Sequence, residues 1–174
     1  IVFSIDNFAY EPEAFKLQFP WLARKRHHIK GKDIIVCNTL KDATQIERKG
    51  THDFFSVYIP TKTEFRVWTF FDKAFAVSEK LYKGEGEYEG IQRNRRFGFK
   101  FENQDVRLND KKLCKLACAA TQSLKMEFGA VDILEGKDGK YYVLEVNSMP
   151  HIDSNKRVSG IRLAKLVSEW AEKQ

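Results

Sequence analysis

The chain has 174 residues, 43% of them hydrophobic and 13% aromatic, enough to bury a substantial core and too apolar for an intrinsically disordered segment. The net charge of +6 leaves open a polyphosphate ligand or a nucleic acid. No apolar run approaches the roughly 20 residues of a membrane span and no signal peptide is visible, so no membrane partner is expected; a cytoplasmic location is the reading taken with the cysteines below.

Residues 1–20 carry no clean period, and Phe19-Pro20 ends this lead-in. Trp21-Leu22-Ala23 reads as a short strand running into a basic loop that includes Arg24, Lys25, Arg26, His27, His28, Lys30 and Lys32. Asp33 to Cys37 is a second short strand, and Lys41 to Lys49 a polar helix with Ala43 and Ile46 facing inward and Gly50 as its stop. Asp53 to Ile59 is a β-rich run closed by Pro60. Glu64 to Phe71 alternates, setting Phe65, Val67 and Thr69 against Glu64, Arg66, Trp68 and Phe70. After a turn at Asp72-Lys73 it returns as a strand over Ala74 to Lys80, which makes a hairpin.

Gly84 to Gly90 reads as a flexible loop without a packing signal, and Phe97 to Phe101 as a strand. A helix capped by Asn109 or Asp110 is expected to run to about Phe128, with Leu113, Ala117, Ala120, Leu124 and Phe128 as its stripe and Gly129 as its stop. Ala130 to Leu134 and Tyr141 to Val146 are strands, and Arg162 to Ala171 is an amphipathic helix burying Leu163, Leu166, Val167 and Trp170. The three cysteines, Cys37, Cys114 and Cys118, read as buried thiols of a reducing compartment, since an odd count excludes full pairing and no further zinc ligands have sensible spacing.

The last hairpin carries the chemistry. If Asp138-Gly139 forms a two-residue turn, opposed residue numbers sum to 277, so Leu134 faces Val143 and Asp132 faces Glu145. Carboxylates so placed lie about 4.5–5.5 Å apart at Cβ and repel. Both sit between apolar neighbours, and half-buried anions need a cation or a shared proton. Asn147 projects from the same face as Glu145. Asp, Glu and Asn oxygens are hard ligands that suit Mg²⁺ with positions left for water and phosphate. A wet hairpin face bearing ordinary surface charges is the plainer alternative, and a slip of one residue would separate the acids.

The run Gly129-Ala130-Val131-Asp132-Ile133-Leu134, followed by Val143-Leu144-Glu145-Val146-Asn147-Ser148-Met149-Pro150, resembles the ATP-grasp superfamily, and within it the RimK-like carboxylate–amine ligases. The resemblance implies an α+β fold in which two lobes with antiparallel sheets grip a nucleotide. Residues 1–60 would form a lead-in and first lobe, with the N-terminus truncated or minimal, and residues 61–174 a second lobe holding the metal site. It implies ATP with Mg²⁺, or Mn²⁺ in its place, held by Asp132, Glu145 and Asn147. Arg24 would reach phosphate beside a covering loop at 26–33, and Phe55, Val57 and Tyr58 would line an adenine-contacting connector, where an ordinary core strand is the alternative. Arg66, in Glu64-Phe65-Arg66, and Arg93 would face the transferred phosphate, with Lys80 and Asn94 as further contacts; alone, Glu64 and Arg66 would suggest only a surface ion pair. The implied reaction joins a small-molecule or peptide carboxylate to an amine through an acyl phosphate. The competing readings are an ATP-binding module without catalysis and, less favoured, a basic nucleic-acid-binding domain.

Overall fold

The computed structural model describes residues 2–4, 19–27, 33–88, 90–91, 93–150 and 157–173. The covering-loop positions 28–32, most of the lead-in and His151 lie outside the described residues. The chain divides into two compact units, Ile1–Ile59 and Pro60–Gln174.

In the first unit, β1 (Val2–Ser4), β2 (Trp21–Arg24), β3 (Ile35–Cys37) and β4 (Phe54–Val57) form an antiparallel sheet ordered β1-β4-β2-β3. Helix α1 (Leu40–Lys49) starts at a capping box. The Asp42 amide donates to Thr39 Oγ1 (3.2 Å), and Asp42 Oδ2 accepts from the Thr39 amide (2.9 Å), which satisfies two of the donors a helix start leaves open. Gly50 closes it at φ 59°. Ala43 and Ile46 face a core of Trp21, Ala23, Cys37 and Phe55, as their spacing predicts. Burial pushes the Cys37 thiol up to about 11, with the Asp42 charge adding to the effect.

The second unit is one antiparallel sheet, ordered β7-β6-β5-β8-β9, of β5 (Thr61–Phe70), β6 (Lys73–Tyr82), β7 (Phe99–Asn103), β8 (Phe128–Gly136) and β9 (Tyr141–Asn147). Helix α2 (Lys111–Ser123) covers one face through Leu113 and Ala117, which pack with Phe65, Val67, Val77, Val131 and Ile133. Part of the other face carries α3 (Arg157–Ala171), whose Leu163 and Leu166 meet Trp68, Phe75, Ala76 and Ala130. The alternation read along β5 therefore separates two faces as expected, with Phe65, Val67 and Thr69 toward α2.

Several sequence-based boundaries shift. Helix α2 ends at Ser123, where Lys125 takes φ 55°, so Leu124 is exposed and Phe128 begins β8. Gly129 is no helix stop but a strand residue under close contact: a Cβ there would lie 3.0 Å from Thr121 Cγ2 and 3.2 Å from the Asn147 carbonyl oxygen. The β5–β6 turn uses Phe71, at φ 51°, and Asp72 rather than Asp72-Lys73. Arg95–Phe97 is a 3₁₀ turn, so β7 starts two residues later than the sequence suggests. The 84–90 segment does pack, because the Tyr88 ring meets Tyr82, Phe97 and Phe99. Helix α3 starts before Arg162, and Val167 and Trp170 are partly exposed, Trp170 stacking on Phe71 at 5.7 Å.

Candidate active site

Asp132 and Glu145 stand directly opposite each other on β8 and β9. The route to that register differs from the sequence reading. The β8–β9 connection is a three-residue loop, 137–139, because Gly136 N–H bonds the Lys140 carbonyl and Gly139 takes φ 75°. Leu134 thus pairs with Tyr142, not Val143. The ladder then shifts between Asp132 and Ile133, with Leu144 as the additional residue on β9. This bulge reverses the alternation of β9, so Tyr141 and Val146 both pack toward α2 while Glu145 and Asn147 face the other way with Asp132.

The face opposite α2 accordingly presents Glu64 and Arg66 from β5, Ser78 and Lys80 from β6, Phe101 from β7, Asp132 from β8, and Glu145 and Asn147 from β9. The carboxylate of Asp132 is buried, and its cation is Arg66: Arg66 Nε donates to Oδ1 at 2.6 Å and Nη2 to Oδ2 at 2.7 Å. The need of this acid pair for a cation is therefore met in part by a guanidinium, which balances Asp132. Burial works against the charge on Arg66, but the hydrogen bonds and charge of Asp132, joined by the charge of Glu145, outweigh it and hold the guanidinium above its ordinary value. Glu64 pairs with Lys80 rather than along the strand with Arg66.

Glu145 is exposed, and its Oε1 accepts from Asn147 Nδ2 at 3.1 Å. Among the described residues of this face, three carboxylates (Glu64, Asp132, Glu145) meet two cations (Arg66, Lys80), so one carboxylate charge is left over. Among the described residues no group of three or more His, Cys, Asp and Glu side chains is arranged around a metal position. Two carboxylates and an amide, one carboxylate being exposed, nevertheless form a set that fits a divalent cation keeping water or phosphate as further ligands.

The remaining expected residues fall into two groups. Arg93 is half-buried near the start of β5, its Nη1 donating to the Lys62 carbonyl (3.3 Å) and its Nη2 to the Thr61 carbonyl (3.2 Å), with the guanidinium 5.6 Å from the Phe99 ring centroid. Asn94 Oδ1 accepts from the Arg96 amide (3.0 Å) and so caps the 3₁₀ turn. In the first unit, Arg24 ends β2, and its carbonyl accepts from the Asp53 amide at 2.9 Å. Phe55 is a core residue: its ring is fully buried beside Trp21, 5.9 Å away, and its backbone lies in a strand paired on both sides, so no ring face is left for adenine. Val57 and Tyr58 are partly exposed. Phe101 was missed by the sequence reading, although strand alternation with Phe99 carries the signal: its ring lies under both Arg66 and Lys80.

An antiparallel sheet with α2 on one face and charged side chains on the other makes the second unit an α+β fold. The model of the RimK-like ATP-grasp domain matches residues 6–171, and the chain belongs to that family. It is similar to probable alpha-L-glutamate ligases from Histophilus somni strains 2336 and 129Pt, 25% identical over 176 aligned residues, which cover 97% of this chain and 56% of theirs. The chain thus spans about half the length of the curated relatives it matches. Among solved structures it resembles the D-alanine–D-alanine ligase of Bacillus anthracis complexed with ATP (TM-score 0.67, 18% identity, 97% of this chain and 57% of the other). It also resembles the ATP-grasp ligase PsnB complexed with a minimal precursor, Mg and ADP (TM-score 0.63, 15% identity, 94% and 52%). These likenesses show the ATP-grasp fold.

Proposed function

We propose that this chain supplies the ATP- and metal-binding part of an ATP-dependent carboxylate–amine ligase acting on an amino acid or peptide. The observation that carries the reading is the juxtaposition of Asp132, Glu145 and Asn147 on the face that also bears Arg66 and Lys80. Family membership adds the nucleotide, and the relatives' descriptions as glutamate ligases supply the substrate class.

In the first step a substrate carboxylate oxygen attacks the γ-phosphorus of ATP. The bond to the bridging oxygen breaks, ADP leaves and an acyl phosphate forms. In the second step an amine nitrogen attacks the acyl carbon, phosphate departs, and the nitrogen gives up a proton to leave an amide. Two anions meet in the first step, so the chain's task is charge compensation and alignment. Arg66 and Lys80 offer cationic heads to phosphate oxygens, with Arg93 and Asn94 at the edge of the same lobe. Arg24, Val57 and Tyr58 are assigned to nucleotide contacts from the first lobe. Asp132, Glu145 and Asn147 would hold Mg²⁺, which when bound supplies Lewis-acid stabilisation of phosphate charge. Mn²⁺ is assigned as an alternative ion of the same kind. The three free thiols accord with a reducing compartment such as the cytoplasm.

The test is calorimetric titration with a non-hydrolysable ATP analogue, with and without Mg²⁺, followed by ADP release in the presence of candidate acids and amines. Tight binding that needs Mg²⁺ and is lost in Glu145→Gln and Asn147→Ala is expected. Binding indifferent to Mg²⁺ in the parent chain rejects the proposal.

A further inference from the structure

Phe101 belongs to none of the hydrophobic cores, although it sits on a paired strand opposite Lys80. Its ring centroid lies 4.5 Å from the Arg66 guanidinium carbon and 5.1 Å from the Lys80 ammonium nitrogen. Two like charges therefore lie over one aromatic ring. Each already has its own carboxylate, Asp132 for Arg66 and Glu64 for Lys80. What the ring adds is a common anchor: the negative quadrupole of its π-cloud attracts both heads and restrains two long, flexible stems at one place.

We infer that Phe101 is a positioning residue whose π-face holds the Arg66 and Lys80 heads side by side, so that both are presented to one oligophosphate. The inference rests on the ligase reading for the identity of that ligand, and on the geometry alone for the clamp. An aliphatic side chain of similar bulk would fill the space without offering a negative face, so size and electrostatics can be separated.

The experiment replaces Phe101 with 4-fluoro-, 3,5-difluoro- and 3,4,5-trifluorophenylalanine, which drain the ring face in steps, alongside Phe101→Tyr and Phe101→Leu. Affinity for a non-hydrolysable ATP analogue with Mg²⁺ is measured for each, with a melting curve to confirm folding. Affinity is expected to fall stepwise with fluorination, to drop roughly ten-fold in Phe101→Leu, and to be kept by Phe101→Tyr. A flat fluorination series overturns the inference, even if Phe101→Leu is weakened, because a packing role alone would give that pattern. The clamp is also read without nucleotide: ring current should shift the Lys80 ε-methylene protons upfield in the parent chain and not in Phe101→Leu. Absence of that shift overturns the clamp. A parent chain that shows the shift but binds no nucleotide overturns the ligase reading and leaves the clamp standing.

Discussion

Asp132 and Glu145 face each other, yet their environments assign them different burdens. The Asp132 side chain is 9% exposed and that of Arg66 22%, and two short parallel hydrogen bonds join them. Removing one member leaves the other as a poorly hydrated charge, which is far costlier than losing a surface pair. Asp132→Asn is therefore expected to lower unfolding free energy by on the order of 3 kcal/mol in a denaturant titration. Glu145→Gln should change it by less than about 0.5 kcal/mol, because Glu145 is exposed. Loss of metal response in Glu145→Gln is thus interpretable as loss of a ligand, whereas the same loss in Asp132→Asn mixes ligation with folding. Equal destabilisation by the two substitutions would contradict this division of roles.

Among the elements, α2 shows how one residue ties a helix to the sheet. Asp110 Oδ1 accepts from the Lys112 and Leu113 amides (3.0 and 3.1 Å), and its Oδ2 accepts from the Tyr141 hydroxyl (2.6 Å) on β9. Burial alone would raise the Asp110 carboxyl, but these bonds and the Arg107 charge hold it below its ordinary value. A depressed carboxyl stabilises the fold above its unfolded pKa, near 4, and that contribution is lost as pH falls through the lower folded value. Asp110→Ala should cost about 1 kcal/mol at neutral pH. Its stability should also decline less than that of the parent chain across the acid range, which urea titrations from pH 6 to pH 2 would measure. An identical acid slope in the two proteins would show that Asp110 is not the titrating cap.

The start of α2 was legible in the sequence because Asp110 precedes an apolar stripe, and the end of α1 because Gly50 follows it. The end of α2 was not. Lys125 adopts a left-handed conformation that its residue type does not announce, and Phe128 continues the helical spacing only by coincidence with its place in β8. The acid pair was legible through a compensation of two departures. The loop carries one residue more than a two-residue turn, and the ladder shift restores the register before Asp132 is reached. The partner of Asp132 was hidden because Arg66 lies 66 positions away, on a neighbouring strand whose register only the fold fixes.

At the scale of the whole molecule, charge and site are arranged in opposite senses. The chain carries a net +6, while the face bearing Asp132 has one more carboxylate than cation among Glu64, Arg66, Lys80, Asp132 and Glu145. Exposed Arg95 and Arg96 lie in the 3₁₀ turn of the second unit. A nucleic-acid backbone would meet that leftover negative charge unaided, whereas a nucleotide accompanied by Mg²⁺ would not, which favours the ligase reading over the nucleic-acid one. No helix among the described residues is long and apolar enough to cross a membrane.

The extra residue at Leu144 has a bearing beyond the aim of Glu145. Among the described residues strand β9 is the last in its sheet, and its outer backbone groups are a template on which a second molecule could add a strand. Val143 and Leu144 are both exposed there, which would make a regular border adhesive. A kinked, irregular rim offers a poorer match to an incoming chain. Deleting Leu144 would keep Glu145 opposite Asp132 while straightening that rim, so the variant should self-associate at concentrations where the parent stays dispersed, as light scattering would record. Equal scattering from the two proteins would mean that the irregularity protects nothing.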